Sequence, residues 1–337
     1  MPGVRVVVAP DKFRGTADAA AVVAAVAGAV EALGHTASRQ PMADGGEGTL
    51  AVLGGPNRTT VVTGPLGDDV EARWRLSRDL AVIEMATASG LDLVGGAEGN
   101  DAVAASTYGT GELISAALEA GAKRVIVGVG GSATTDGGLG ALRALPPPPR
   151  FRGVSITVAC DVRTRFVDAA ERFAPQKGAS PAEVELLRRR LERLAQVYAE
   201  DTGVDVTGVD GSGAAGGLAG GLLTIGATLV DGFDLVADEV GLDDLVEGAD
   251  LVVTGEGHLD AESFDGKVVG GVVDLASSLG VPVLAVVGDR DPGVEVPGEG
   301  DGAVTVVSLV ERFGPDRARD EVEACIAEVV SDHLRVG

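Results

Sequence analysis

Short apolar runs of strand length alternate along the chain with longer segments whose apolar residues recur at helical spacing. That alternation is the signature of βαβ units. Strands are predicted at 4–9, 36–42, 124–129, 154–160, 251–254, 282–287 and 303–309, and helices at 17–33, 109–120, 181–200, 268–279 and 317–334. The helix opening at Ser180 carries the fullest signal: a Ser N-cap, Pro181 in the first helical position and Glu183 completing a capping box. Its Leu187, Leu191, Leu194 and Tyr198 share one face, so its arginines form the solvated side.

The stretch 59–85 breaks the alternation. Three strands, at 59–63, 71–76 and 81–85, follow one another across short turns such as "GPLGDD", which reads as an antiparallel meander. The predicted fold is therefore α/β. An open parallel-sheet domain built from both chain ends, 1–57 plus 235–337, is interrupted by a mixed α/β domain at 58–234. The run "LPPPPR" (145–150) reads as a stiff connector inside the insert.

Composition sharpens this picture. Aromatic residues are 3% of the 337, against 45% hydrophobic, so Val, Ala and Leu must fill the cores. That is the habit of parallel sheets covered on both faces. The net charge of −24 argues against nucleic-acid partners, whose phosphates are neutralised by Lys and Arg. An anionic ligand would need the few cations gathered at its site. No predicted apolar run reaches the ~20 residues of a membrane span, and no signal peptide is read at the start. Two cysteines, Cys160 and Cys325, make no disulfide framework and suit a reducing cytoplasm. Self-association is compatible with all of this.

The 51 glycines, about twice the usual ~7% share, gather in clusters after apolar runs. The clusters are "PMADGGEGT", "GVGGSATTDGGLG", "GSGAAGGLAGG" and "TGEGHLD", the last followed by "DGK". Glycine after a strand lets the backbone approach a ligand and turn its N–H groups toward an anion. The alternative reading is that such glycines serve only tight turns and close packing. Carboxylates beside these turns suit Mg2+, which takes one or two and fills its other positions with water and phosphate. Asp44, Glu47, Asp136, Asp161, Glu256 and Asp260 qualify by type and place, although a surface carboxylate is ordinarily just solvated. Asp161 is the sharpest case, because it ends a strongly apolar strand where a charge is costly unless paired.

Two familiar patterns were tested. The Walker pattern fails at "AESFDGKV", where Ala261 replaces the first Gly and Val268 the Ser or Thr. The dinucleotide pattern matches at Gly128-x-Gly130-x-x-Ala133 and at Gly211-x-Gly213-x-x-Gly216. The first lacks an acidic residue at the ribose offset, and the second lacks a good preceding strand. No nucleophile elbow or triad is read from His35, His258 and His333.

Taken in order, "APDKFRGT", "PMADGGEGT", "IEMATASGL", "STYGTGELI", "VGGSATTDGG", "ACDV", "FAPQKGA", "GAAGGL" and "TGEGHLD…DGK" resemble the type I glycerate kinases, the bacterial glycerate 2-kinases. They run collinearly over residues 9–267. The resemblance implies ATP- and Mg2+-dependent phosphorylation of (R)-glycerate to 2-phosphoglycerate, on small-molecule substrates alone. It also implies a flavodoxin-like (Rossmann-like) domain with a second α/β domain inserted. This chain departs from the family where Arg163-Thr164-Arg165-Phe166 follows Asp-Val, and where Thr135, His258 and Glu262 replace the usual Asn, Arg and Gln.

Phosphoryl transfer asks mainly for positioning and charge neutralisation. The expected metal ligands are Asp44 and Glu47. Asp161 or Asp260 would accept the hydroxyl proton, with Lys12 and Lys267 completing the catalytic set. Substrate and nucleotide would contact Asp11, Arg14, Gly45, Gly46, Gly130, Gly131, Ser132, Asp136, Lys177, Gly213, Gly216, Gly217, Thr254, Gly255 and Glu256. Lys12 and Arg14, at the carboxyl end of the first strand, suit a carboxylate or a transferring phosphate. Three alternatives stay open: a kinase for another small hydroxy acid, a diverged ligand-binding homologue without turnover, and a nicotinamide-dependent oxidoreductase.

Overall fold

The computed structural model describes residues 3–145, 153–264, 266–300 and 302–336. The proline run read as a connector (146–150) lies outside them. The chain divides into two compact units, one formed by 1–44 with 232–337 and the other by 45–231.

The first unit is a five-stranded sheet of β1 (Arg5–Val8), β2 (Thr36–Arg39), β9 (Leu251–Leu259), β10 (Val283–Arg290) and β11 (Val304–Ser308). Every pairing is parallel, and the order is β2-β1-β9-β10-β11. Numbered within the unit this is 2-1-3-4-5, the flavodoxin-like winding, whose direction reverses between β1 and β9. Val6, Val8, Leu251, Val253, Leu284 and Val286 from the sheet pack with Val22, Val26 and Val30 of the helix Ala19–Ala32. Asp18 caps that helix, accepting from the Ala21 N–H at 2.8 Å. Ile326 and Val330 complete the same core.

The second unit is a six-stranded sheet: β3 (Arg58–Thr63), β4 (Asp69–Ser77), β5 (Leu80–Glu84), β6 (Arg124–Gly128), β7 (Ser155–Ala159) and β8 (Thr228–Val230), in that order. The pairs β3–β4 and β4–β5 are antiparallel, as the meander predicts, and β5 through β8 run parallel. The helix Pro181–Thr202 has the expected capping box, and Leu187, Leu191 and Tyr198 are buried.

Three details differ from the pattern reading. β8 has only three residues, too few for an apolar run to mark it. β9 does not turn at "TGEG" but runs on to Leu259, paired with Arg290 of β10. Glycine makes this possible: a Cβ on Gly255 would lie 2.0 Å from the Val286 carbonyl oxygen. Finally, the segment expected as one helix over 317–334 is two, Pro315–Asp320 and Val322–Val336, broken where Glu321 leaves helical geometry. Among the described residues no helix is long and apolar enough to cross a membrane.

Candidate functional site

In the first unit the chain leaves β1 through Asp11, Lys12 and Arg14, beside Thr254, Gly255 and Glu256 of β9, which runs on past the end of β1. The two segments are neighbours at the point where the winding reverses, the place where open α/β sheets bind ligands. The backbone joins them: the N–H groups of Ala9 and Asp11 donate to the Val253 and Gly255 carbonyls at 2.8 and 2.9 Å. Thr254 is buried, and its hydroxyl donates to the Ala9 carbonyl at 2.9 Å.

Carboxylates crowd this corner. Burial, and then the charge of Asp44, lift Asp11 to about 6 against the pull of Lys12 and Arg14. Burial also lifts Glu256 to about 7, helped by Asp11 and Asp260 and opposed by Ser263 and Lys267. Glu256 Oε1 is shut away from water without a hydrogen-bond partner. Asp260 closes a turn with Ser263, accepting from its N–H at 3.0 Å, and Lys267 pairs with Glu262 at 3.7 Å. His258 faces Asp291 across 3.0 Å on the exposed side.

The second unit contributes a pocket of about 290 Å³ at the carboxyl ends of β6 and β7. Gly130, Gly131 and Ser132 form one wall, Asp161 another, and Lys177, Ala214 and Ala215 reach it from elsewhere in the chain. Lys177 is 3% exposed. Its ammonium nitrogen lies 2.7 Å from Ser132 Oγ and 2.6 Å from the Thr134 carbonyl. Burial pulls it down to about 7, with Asp136 opposing. Asn100 holds the two segments together, donating through Nδ2 to the Ala133 carbonyl at 3.0 Å and to the Lys177 carbonyl at 2.8 Å.

Backbone geometry explains the glycines here. Ala215, Gly216 and Gly217 all adopt left-handed conformations inside the helix Ala214–Leu223. A Cβ on Gly216 would sit 2.0 Å from the Thr134 carbonyl oxygen, and one on Gly213 2.3 Å from that of Arg165. Gly128 and Gly130 lie against the backbone of Gly45, Gly46 and Glu47. Both G-x-G matches are thus accounted for by close backbone packing. The first helix after β6 begins only at Leu139, too late for a phosphate-binding strand–turn–helix.

The structure thus brings Asp11, Lys12, Arg14, Asp44, Thr254, Gly255, Glu256, Asp260 and Lys267 into the first unit. It brings Gly45, Gly46, Glu47, Gly130, Gly131, Ser132, Asp136, Asp161, Lys177, Gly213, Gly216 and Gly217 into the second. Asp136 lies inside its own loop, where its oxygens accept from the Thr107 N–H and hydroxyl and from the Gly138 and Gly140 N–H groups. Asp44 and Glu47, expected as a pair, belong to different units. Two residues were missed. One is Asn100. The other is Glu84, which accepts from the Gly48 and Leu50 N–H groups at 3.0 and 2.7 Å. A carboxylate ending the apolar run "LAVIE" was the available signal for Glu84; nothing local marks Asn100.

The glycerate kinase family matches residues 6–147 and 146–335. A glycerate kinase of Halalkalibacterium halodurans is 38% identical over 348 residues, 91% of each chain. The glycerate 2-kinase of Escherichia coli is 38% identical over 350 residues, 92% of this chain and 91% of its own. A crystal structure described as a putative glycerate kinase 2 from Salmonella typhimurium LT2 superposes with a TM-score of 0.81 at 33% identity, covering 99% of both chains.

Proposed function

Because this chain belongs to the glycerate kinase family, we propose that it transfers the γ-phosphoryl group of ATP to the 2-hydroxyl of (R)-glycerate, giving 2-phosphoglycerate. The observation that carries the assignment of residues is Lys177. A cation withheld from water, fixed by Ser132 and Thr134 at a wall of bare glycine backbone, suits the oxygens of a phosphoryl group. Gly130, Gly131 and Ser132 supply backbone for phosphate, Gly213, Gly216 and Gly217 shape the turn that brings Ala214 and Ala215 to the pocket, and Asp136 braces the loop that carries Ser132. Asp161, on the same pocket, accepts the proton leaving the glycerate hydroxyl, with Asp260 as the other carboxylate so placed at a strand exit.

At the switch point of the first unit, Lys12 and Arg14 hold an anionic group, and Lys267 counters charge beside Glu256. The carboxylates there fit Mg2+. Asp11 and Glu256 are both held above the usual carboxylate range by burial first, Asp11 also by Asp44 and Glu256 also by Asp11 and Asp260, and Glu256 Oε1 has no hydrogen-bond partner. Among the described residues no three His, Cys, Asp or Glu side chains form a ready-made cage. Mg2+ needs only one or two carboxylates and completes its shell with water and phosphate. One or two of Asp44, Asp11 and Glu256 would hold it in this unit, and when bound it would neutralise phosphate oxygens. The two free cysteines, both buried, suit the reducing cytoplasm.

The test is ADP release from ATP with Mg2+ across a panel of small hydroxy acids, with the phosphorylated product identified by its phosphorus spectrum. Release with (R)-glycerate and a 2-phosphoglycerate signal is the expected result. Silence across the panel overturns the reading, and turnover with a different acid reassigns the substrate.

A further inference from the structure

We propose that Ser132 is a nucleophile with Lys177 as its base, and that their pocket cleaves small activated carboxylic esters through an acyl-serine. The geometry is that of a Ser–Lys dyad. A neutral amine has one lone pair and N–H groups to spare. Lys177 Nζ donates to Ser132 Oγ at 2.7 Å and to the Thr134 carbonyl at 2.6 Å; on loss of a proton the first contact reverses, with the hydroxyl donating to the lone pair, and the second still orients the base. The two Asn100 bonds keep the Lys177 and Ala133 backbones in register. Ser132 is 8% exposed, yet it opens onto the pocket, which Gly130 and Gly131 line beside it.

Burial favours the neutral amine and brings Lys177 down to about 7. The charged groups that face it are Asp136, whose oxygens accept from Thr107 and from the Gly138 and Gly140 N–H groups, and Asp161 across the pocket.

Charge decides which electrophile this dyad takes. An anion in the pocket holds Lys177 protonated and occupies its lone pair with a proton. A neutral ester leaves the base free. Phosphate binding and ester cleavage therefore exclude each other.

In the reaction Ser132 Oγ attacks the carbonyl carbon while its proton passes to Lys177 Nζ. The ester oxygen then leaves with its bonding pair and takes the proton from Lys177 Nζ, giving the alcohol or phenol, the acyl-serine and a neutral amine again. Water attacks the acyl carbon, losing a proton to the nitrogen, and Ser132 leaves as the hydroxyl with the carboxylic acid as product. No oxidant, metal or second cofactor is required. The inference stands apart from the kinase reading, since ADP release is measured separately.

The experiment uses the full chain with p-nitrophenyl acetate, following nitrophenolate release and mapping the acetylated peptide by mass. Acetyl on Ser132 is expected, with a rate that rises as pH passes through about 7. Ser132→Ala should lose the adduct. Lys177→Met should react at least ~100-fold more slowly, and Lys177→Arg should be no better, because a guanidinium does not give up its proton. Inorganic phosphate should suppress acetylation of the unmodified protein, a measurement that requires no variant to fold. Acetyl found elsewhere than Ser132, an undiminished rate in Ser132→Ala, or indifference to phosphate overturns the proposal.

Discussion

Thr254 donates its hydroxyl hydrogen to the carbonyl of Ala9 at 2.9 Å, closing the ladder where β1 ends beside the continuing β9. Asp11 and Glu256 lie two residues beyond its two ends, so this bond sets the spacing between the chain segments that carry them. Thr254→Val keeps the shape and removes the donor. It should destabilise the first unit by about 0.5–1.5 kcal/mol in urea denaturation and raise the KM for ATP with Mg2+. Unchanged KM with lowered stability would leave Thr254 a structural residue only.

The raised carboxyls of Asp11 and Glu256 make stability fall with rising pH. Their folded values, about 6 and about 7, lie above the ordinary 3.8 and 4.5. Between each pair of values the folded protein holds a proton that the unfolded chain has lost. The contribution is therefore intact at low pH and lost on going up through the folded values. Glu256→Gln should gain on wild type by on the order of 2 kcal/mol at about pH 8 relative to about pH 5. Mg2+ should raise the melting temperature more at the higher pH, where the carboxylates are ionised. A wild-type-minus-variant difference that is the same at both pH values rules out the buried glutamic acid.

Asp161→Asn preserves volume and removes the proton acceptor. Turnover should fall by roughly a hundredfold or more, with the melting temperature close to wild type, as read by ADP release beside a thermal scan. Turnover within a factor of two of wild type takes Asp161 out of the mechanism.

Ala215 carries a left-handed backbone (φ 52°) that an L residue ordinarily avoids. The strain is about 1–2 kcal/mol, and the greater freedom of glycine in the unfolded chain offsets ~0.5–1 kcal/mol of any relief. Ala215→Gly should therefore be neutral to mildly stabilising. Gly216→Ala should do the opposite and cost ~3 kcal/mol or more, since its Cβ would meet the Thr134 carbonyl. Equal thermal midpoints for the two variants would contradict this.

Much of this architecture was legible from the chain itself. β1, β6 and β10 are valine-rich runs and β7 a shorter apolar one between helical segments, and the meander of β3 to β5 is marked by short polar turns. What escaped has physical causes. β9 continues through Gly255 and Gly257 because glycine there permits close strand approach, a use that looks in sequence like a turn. Lys177 was legible as a cation beside a glycine, but its contact with Ser132 joins residues 45 positions apart and no local pattern records that. Asp136 had the residue type and position of a ligand. Only the fold shows its oxygens turned onto Thr107 and the following N–H groups.

The separation of 245 positions between Ala9 and Thr254 also has a consequence for synthesis. At ribosomal rates of about 5–20 residues per second, the first strand emerges roughly 10–50 s before the strand that will flank it. Through that interval Val6, Val7 and Val8 have only β2 beside them, while the 45–231 segment has time to fold. The nascent chain should therefore draw on holdase chaperones at its leading end, and a circular permutant opening within 45–231 would shorten that wait.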